Sequence, residues 1–82
     1  MQNVKNQDLL KAFGQNLRIL RKKKEISMKH LTDLANLEYS QVARIERGII
    51  NTTISSAYAL ATALEIPLNK LFEFEIGKKK KK

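Results

Sequence analysis

The sequence predicts an all-α domain of five short helices, and three observations lead there. Apolar residues recur at spacings of three and four, cap-forming residues separate the periodic stretches, and the connections are two to five residues long. The 82 residues suit one modest core, because a chain this short buries only about 60–65% of the surface its unfolded form exposes. There is no cysteine, so disulfides and thiolate metal sites are excluded and packing alone must hold the fold.

The first helix, about 7–24, puts Leu9, Leu10, Phe13, Leu17 and Leu20 on one stripe and Lys11, Arg18, Lys22 and Lys23 on its outer face. Ser27, whose hydroxyl suits an N-cap, opens a second helix, about 27–35, through Leu31, Leu34 and Ala35. That helix is too short to persist alone in water, so its neighbours must hold it. Asn36 ends it, since asparagine tolerates positive φ, and Leu37 turns back to the core as a spacer. The third helix, about 39–47, points Val42 and Ile45 inward and leaves Tyr39, Ser40, Gln41, Arg44 and Arg47 outside, and Gly48 stops it. Thr53 caps a fourth helix, about 54–64, with Ile54, Ala57, Tyr58, Ala61 and Leu64 at helical spacing. Pro67 introduces a fifth segment, about 68–73, through Leu68 and Leu71.

Phe72 to Ile76 changes period, alternating apolar and acidic residues. Two readings fit: a short C-terminal strand that pairs with its copy in a second chain, or the frayed end of the last helix with two aromatics on the core. On either reading, residues 1–76 make a single domain. Gly77 and the five lysines after it cannot build a core, and 77–82 is read as a disordered basic tail.

Sixteen Lys and Arg stand against eight Asp and Glu, a formal charge of +8 that favours anionic partners. Five of those charges are Lys78 to Lys82; without them +3 remains, an ordinary surface balance. No apolar run approaches the roughly 18 residues of a membrane span, and no secretory leader is evident, so a cytoplasmic protein without membrane contact is expected. Enzymatic chemistry is not expected. Ser27, His30 and Asp33 lie three apart on one exposed face and cannot form a buried triad, and the three glycines are not clustered as in a phosphate-cradling loop. His30 has no second histidine or cysteine to share a metal, and no cofactor is expected.

Two short helices across a tight turn, the second polar outside and bearing Arg44 and Arg47, have the dimensions of a reader for a major groove about 12 Å wide. The run from Leu17 to Phe72 resembles the Cro/C1-type helix-turn-helix (XRE) family of phage repressors and bacterial transcriptional regulators. Leu17 with Arg21, Ser27 with Leu31, the string RIERG at Arg44–Gly48 and the ending AxALEIPLNKLF carry the likeness together. The resemblance implies a lambda-repressor-like fold and sequence-specific binding of double-stranded DNA by a small regulator, a homodimeric repressor or autoregulator on a palindromic operator. Small proteins resembling this sequence also include antitoxins and restriction–modification controllers, and the same scaffold can serve as a protein-interaction module that binds a protein partner and no specific DNA.

By the same resemblance, Met28, Tyr39, Ser40 and Arg44 fall at base-reading positions, and Gln41 has the hydrogen-bonding groups to join them. Ser27, Lys29, Arg47, Asn51 and Thr53 are the expected phosphate contacts, from helix starts and nearby donors. Arg21 and Glu46 match a largely buried structural ion pair. Burial of Glu46 among packing residues independently calls for a partner. Leu71, Phe72, Phe74 and Ile76 are the expected dimer interface. The sequence departs from the family pattern at Met28, usually glutamine, at Glu25, commonly glycine, and at Glu38, usually a serine or threonine cap. Met28 therefore removes the basis for carrying over the usual operator preference.

Overall fold

Asn6 starts the first helix, α1 (Gln7–Lys23), by accepting the Leu9 N–H on its side-chain oxygen at 2.9 Å. The computed structural model describes residues 6–76; residues 1–5 and the tail expected at 77–82 lie outside the described residues. Ser27 caps α2 (Met28–Ala35) through the His30 N–H at 3.0 Å, and Thr53 caps α4 (Ile54–Leu64) through the Ser56 N–H at 3.0 Å. Between them α3 (Tyr39–Glu46) begins at Glu38, whose carboxylate makes no capping bond. After Pro67 the fifth segment is a single 3-10 helix (Leu68–Phe72) rather than an α-helix.

The four α-helices of the described residues all end in one motif. The last backbone N–H groups fold back in pairs, Glu25 to Lys22 with Ile26 to Arg21, Asn36 to Asp33 with Leu37 to Thr32, Gly48 to Ile45 with Ile49 to Arg44, and Glu65 to Thr62 with Ile66 to Ala61. This Schellman arrangement satisfies otherwise orphaned carbonyls and needs a left-handed residue at each exit. Glu25, Asn36, Gly48 and Glu65 supply it, with φ between 57° and 73°. Glu25 thus adopts the backbone shape a glycine would take, and the first turn keeps its geometry without one.

The core joins Phe13 and Leu17 from α1, Leu31 from α2, Val42 and Ile45 from α3, Leu60 and Leu64 from α4, and Leu71 from the 3-10 helix. Helix α1 crosses α3 at Gly14, where a Cβ would stand 2.2 Å from the Ile45 carbonyl oxygen and 2.6 Å from that of Glu46. Asn16 bridges to the chain end, its amide donating to the carbonyls of Lys70 at 2.9 Å and Leu71 at 3.0 Å. Among the described residues, no buried side-chain nitrogen or oxygen lacks a hydrogen-bond partner.

One open alternative is decided and two expectations are corrected. No strand forms at Phe72 to Ile76 among the described residues. Instead Glu73, at φ −87° and ψ 84°, makes an inverse γ-turn in which the Phe74 N–H donates to the Phe72 carbonyl at 3.1 Å. The turn puts both rings on the side of Phe13, with centroids 5.2 and 6.5 Å from it, so the alternation reflects aromatic packing rather than a sheet. Leu71 is wholly buried and offers a second chain no surface. On α4 the inward face is Ala57, Leu60, Ala61 and Leu64, while Ile54 and Tyr58, one turn apart, stay 82% and 62% exposed.

Candidate nucleic-acid interface

The α2–turn–α3 unit is braced from behind by one buried ion pair. Glu46, on the last turn of α3, receives Arg21 Nε at 2.7 Å and Nη2 at 3.0 Å. The third guanidinium donor, Nη1, reaches the Ile26 carbonyl at 2.9 Å, so one side chain ties α1 to α3 and to the loop before α2. Both side chains are almost fully buried, at 10% and 4% exposure, and the fork geometry satisfies both carboxylate oxygens. The hydrogen bond to Glu46 holds the Arg21 pKa above its ordinary value, against burial, which acts the other way. Arg21 and Glu46 are therefore scaffold, and neither charge is available to a ligand.

In front of that brace, α3 turns Ser40, Arg44 and Arg47 to solvent at spacings of four and three, one helical face. Tyr39, 55% exposed, stands at the head of the helix. Gln41 is half-buried and donates through Nε2 to Ser56 Oγ at 3.3 Å, fixing the head of α3 against the first turn of α4. Among the described residues neither Arg44 nor Arg47 forms an ion pair.

The remaining candidate positions divide by commitment. Met28 is half-buried and packs against the core cluster from the first position of α2, so part of its side chain is spent on packing. Ser27 and Thr53 are exposed and act as caps through their hydroxyl oxygens. Lys29 is exposed and pairs with Asp33 at 3.3 Å, a surface pair of little strength that a stronger anion can displace. Asn51 is exposed in the loop between α3 and α4. Phe72 and Ile76 are about half exposed, and Phe72 lines an apolar groove of about 160 Å³ with Leu9, Ile50 and Ile54.

The helix-turn-helix family matches residues 17–71, which span the brace, the turn and the exposed arginine face. The chain belongs to the helix-turn-helix family. It is a small DNA-binding transcriptional regulator of the Cro/C1 type. Its fold is that of solved relatives. The restriction–modification controller protein C.AhdI from Aeromonas hydrophila is 45% identical over 79% of this chain and 97% of its own, with a TM-score of 0.75. The controller protein C.Esp1396I is 28% identical over 79% of this chain and 86% of its own, with a TM-score of 0.73. The clp gene regulator ClgR from Corynebacterium glutamicum, 20% identical over 78% of this chain and 68% of its own, shares the fold at a TM-score of 0.75. Among curated proteins none matches the chain. Among the described residues, no helix is long and apolar enough to cross a membrane.

Two residues that position this helix-turn-helix face carried no weight in the sequence reading. Gly14 sets the distance between α1 and α3, and a glycine inside an otherwise regular amphipathic helix is the local signal for such an approach. Asn16 had no such signal, because its partners are backbone carbonyls more than fifty residues away.

Proposed function

We propose that the chain is a homodimeric cytoplasmic regulator, a repressor or autoregulator, that reads a palindromic operator with α3, and that its role is that of a restriction–modification controller. The observation that carries the reading is the face of Ser40, Arg44 and Arg47, a polar, cationic helix surface held rigidly by the Arg21–Glu46 pair behind it. Arg44 is assigned to a guanine, whose O6 and N7 suit the guanidinium fork, with about 1–3 kcal/mol of discrimination. Ser40, Tyr39 and Gln41 flank it, Gln41 acting also through its bond to Ser56. Met28 contributes by contact rather than by hydrogen bonds, given its packing against the core. Ser27, Lys29, Arg47, Asn51 and Thr53 are assigned to phosphates on either side of α3.

An eight-residue reading helix is only about 12 Å long and meets few base pairs, so two copies on half-sites about 34 Å apart supply the needed specificity. The exposed Ile54 and Phe72, which line one apolar groove, support an interface there, with Tyr58 and Ile76 as further exposed apolar residues and Leu71 excluded by its burial. The DNA-binding domain is taken as 1–76, with 77–82 a basic tail that adds nonspecific affinity. The controller role is supported by the 45% identity to C.AhdI, which favours it over an antitoxin.

Arg44→Ala separates base reading from phosphate contact. Competition between an enriched site and mixed-sequence duplex should show the site-to-nonspecific ratio falling about 5- to 150-fold, with mixed-sequence binding nearly unchanged. Equal loss on both duplexes would move Arg44 to the phosphates. A stoichiometric protein complex with no DNA binding would replace the regulator by an interaction module.

A further inference from the structure

The outer face of α1 carries a cationic stripe that the reading of α3 leaves unused. Lys11, Gln15, Arg18 and Lys22 recur at four, three and four residues, all exposed, along about 16 Å of helix. Three of its features belong together in space. Lys11, Gln15 and Arg18 line an open cleft of about 290 Å³ whose other walls are Glu46 and Arg47 of α3. Among the described residues that line the cleft the one acid, Glu46, has both oxygens engaged by Arg21, so the charges they leave free there are positive. Among the described residues Lys11, Arg18 and Arg47 form no ion pairs.

We infer that this cleft is a second phosphate-binding track, which takes the DNA backbone flanking the half-site that α3 reads. Arg47 belongs to both surfaces. It lies on the solvent face of α3 one turn beyond Arg44, and it forms a wall of the cleft, so a strand leaving the reading face at Arg47 passes directly to Arg18 and Lys11. Each strand carries one phosphate per about 3.4 Å of duplex axis, so a stripe of this length can meet more than one phosphate in succession. An acidic protein is the weaker fit, because it would have to share Arg47 with the duplex. Gly48 holds the track in place: a Cβ there would stand 2.7 Å from the Lys11 Cα, so the start of the stripe is seated against the exit of α3.

The inference rests on the proposed reading by α3, and the test keeps the two apart. K11Q/R18Q removes two charges from exposed positions, and its melting temperature reports that the fold is intact. Binding is measured against salt on the duplex enriched from a random pool, once with long flanks and once trimmed to the two half-sites. The slope of log affinity against log salt should fall by about 0.9 for each phosphate that the variant no longer neutralises, and trimming the flanks should weaken wild type but not the double variant. The enriched base sequence should be the same for both proteins. Lys11→Arg, which keeps the charge, should retain the wild-type slope. An unchanged slope and an equal response to trimming would overturn the track while leaving base reading by Arg44 standing. A wild-type protein that enriches no sequence would overturn both.

Discussion

Gly14→Ala pits helix propensity against tertiary contact, and the structure predicts which wins. In an isolated helix the change stabilises by about 1 kcal/mol, since alanine is the better helix former. Here the new methyl would meet the Ile45 carbonyl oxygen at 2.2 Å, the Glu46 oxygen at 2.6 Å and the Glu46 carbonyl carbon at 2.9 Å. All three are backbone atoms of α3, so no side chain can swing away, and the helices must part by about 1 Å to recover ordinary contact. Overpacking of this kind costs about 1–3 kcal/mol and more where backbone must move, leaving a net loss of roughly 2 kcal/mol. For a domain of this size that lowers the melting temperature by about 8–16 °C. Urea unfolding followed by circular dichroism measures it directly. The displaced α3 should also weaken DNA binding at temperatures where the variant is folded. A variant as stable as wild type, or more so, would refute the close crossing of α1 and α3.

Arg21→Met should destabilise the domain by about 3–5 kcal/mol in urea unfolding, because Glu46 is left buried and unpaired; combining it with Glu46→Leu should recover much of the loss. Glu25→Gly should raise stability by roughly 0.5–1 kcal/mol in the same assay, since glycine adopts the left-handed exit of α1 without the strain of a Cβ. Ile54→Asp and Phe72→Asp should convert dimer to monomer by sedimentation while each chain stays folded, whereas Leu71→Asp should unfold it; persistent dimers in the first two would remove this face as the interface.

The helical class was legible because it rests on local signals. Ser27 and Thr53 accept the capping bonds their hydroxyls suit, and Asn36 and Gly48 take a positive φ, which asparagine tolerates and glycine, lacking a Cβ, adopts without strain. Glu25 and Glu65 take the same conformation with no compositional hint, because the fold-back hydrogen bonds and the apolar residues after them impose it. Which face of α4 is inward was not legible: the helix is apolar nearly all round, and only packing separates buried Leu60 from exposed Ile54. Alternation at Phe72–Ile76 left a strand and aromatics packed on the core both open, since a γ-turn and a strand both place residues two apart on the same side, and the packed aromatics are what the structure shows. The face of α3 was readable from charge and spacing, but the cleft behind it joins α1 to α3 across some thirty residues of sequence and appears only once the helices pack.

Selection of bound sequences from a random duplex pool tests the central claim most directly, because it reports DNA reading, half-site symmetry and spacing together. One enriched inverted repeat is predicted, its half-sites about one helical turn or 34 Å apart, with a guanine whose enrichment disappears in Arg44→Ala. A bound pool indistinguishable from the input at physiological salt would contradict sequence-specific reading by α3.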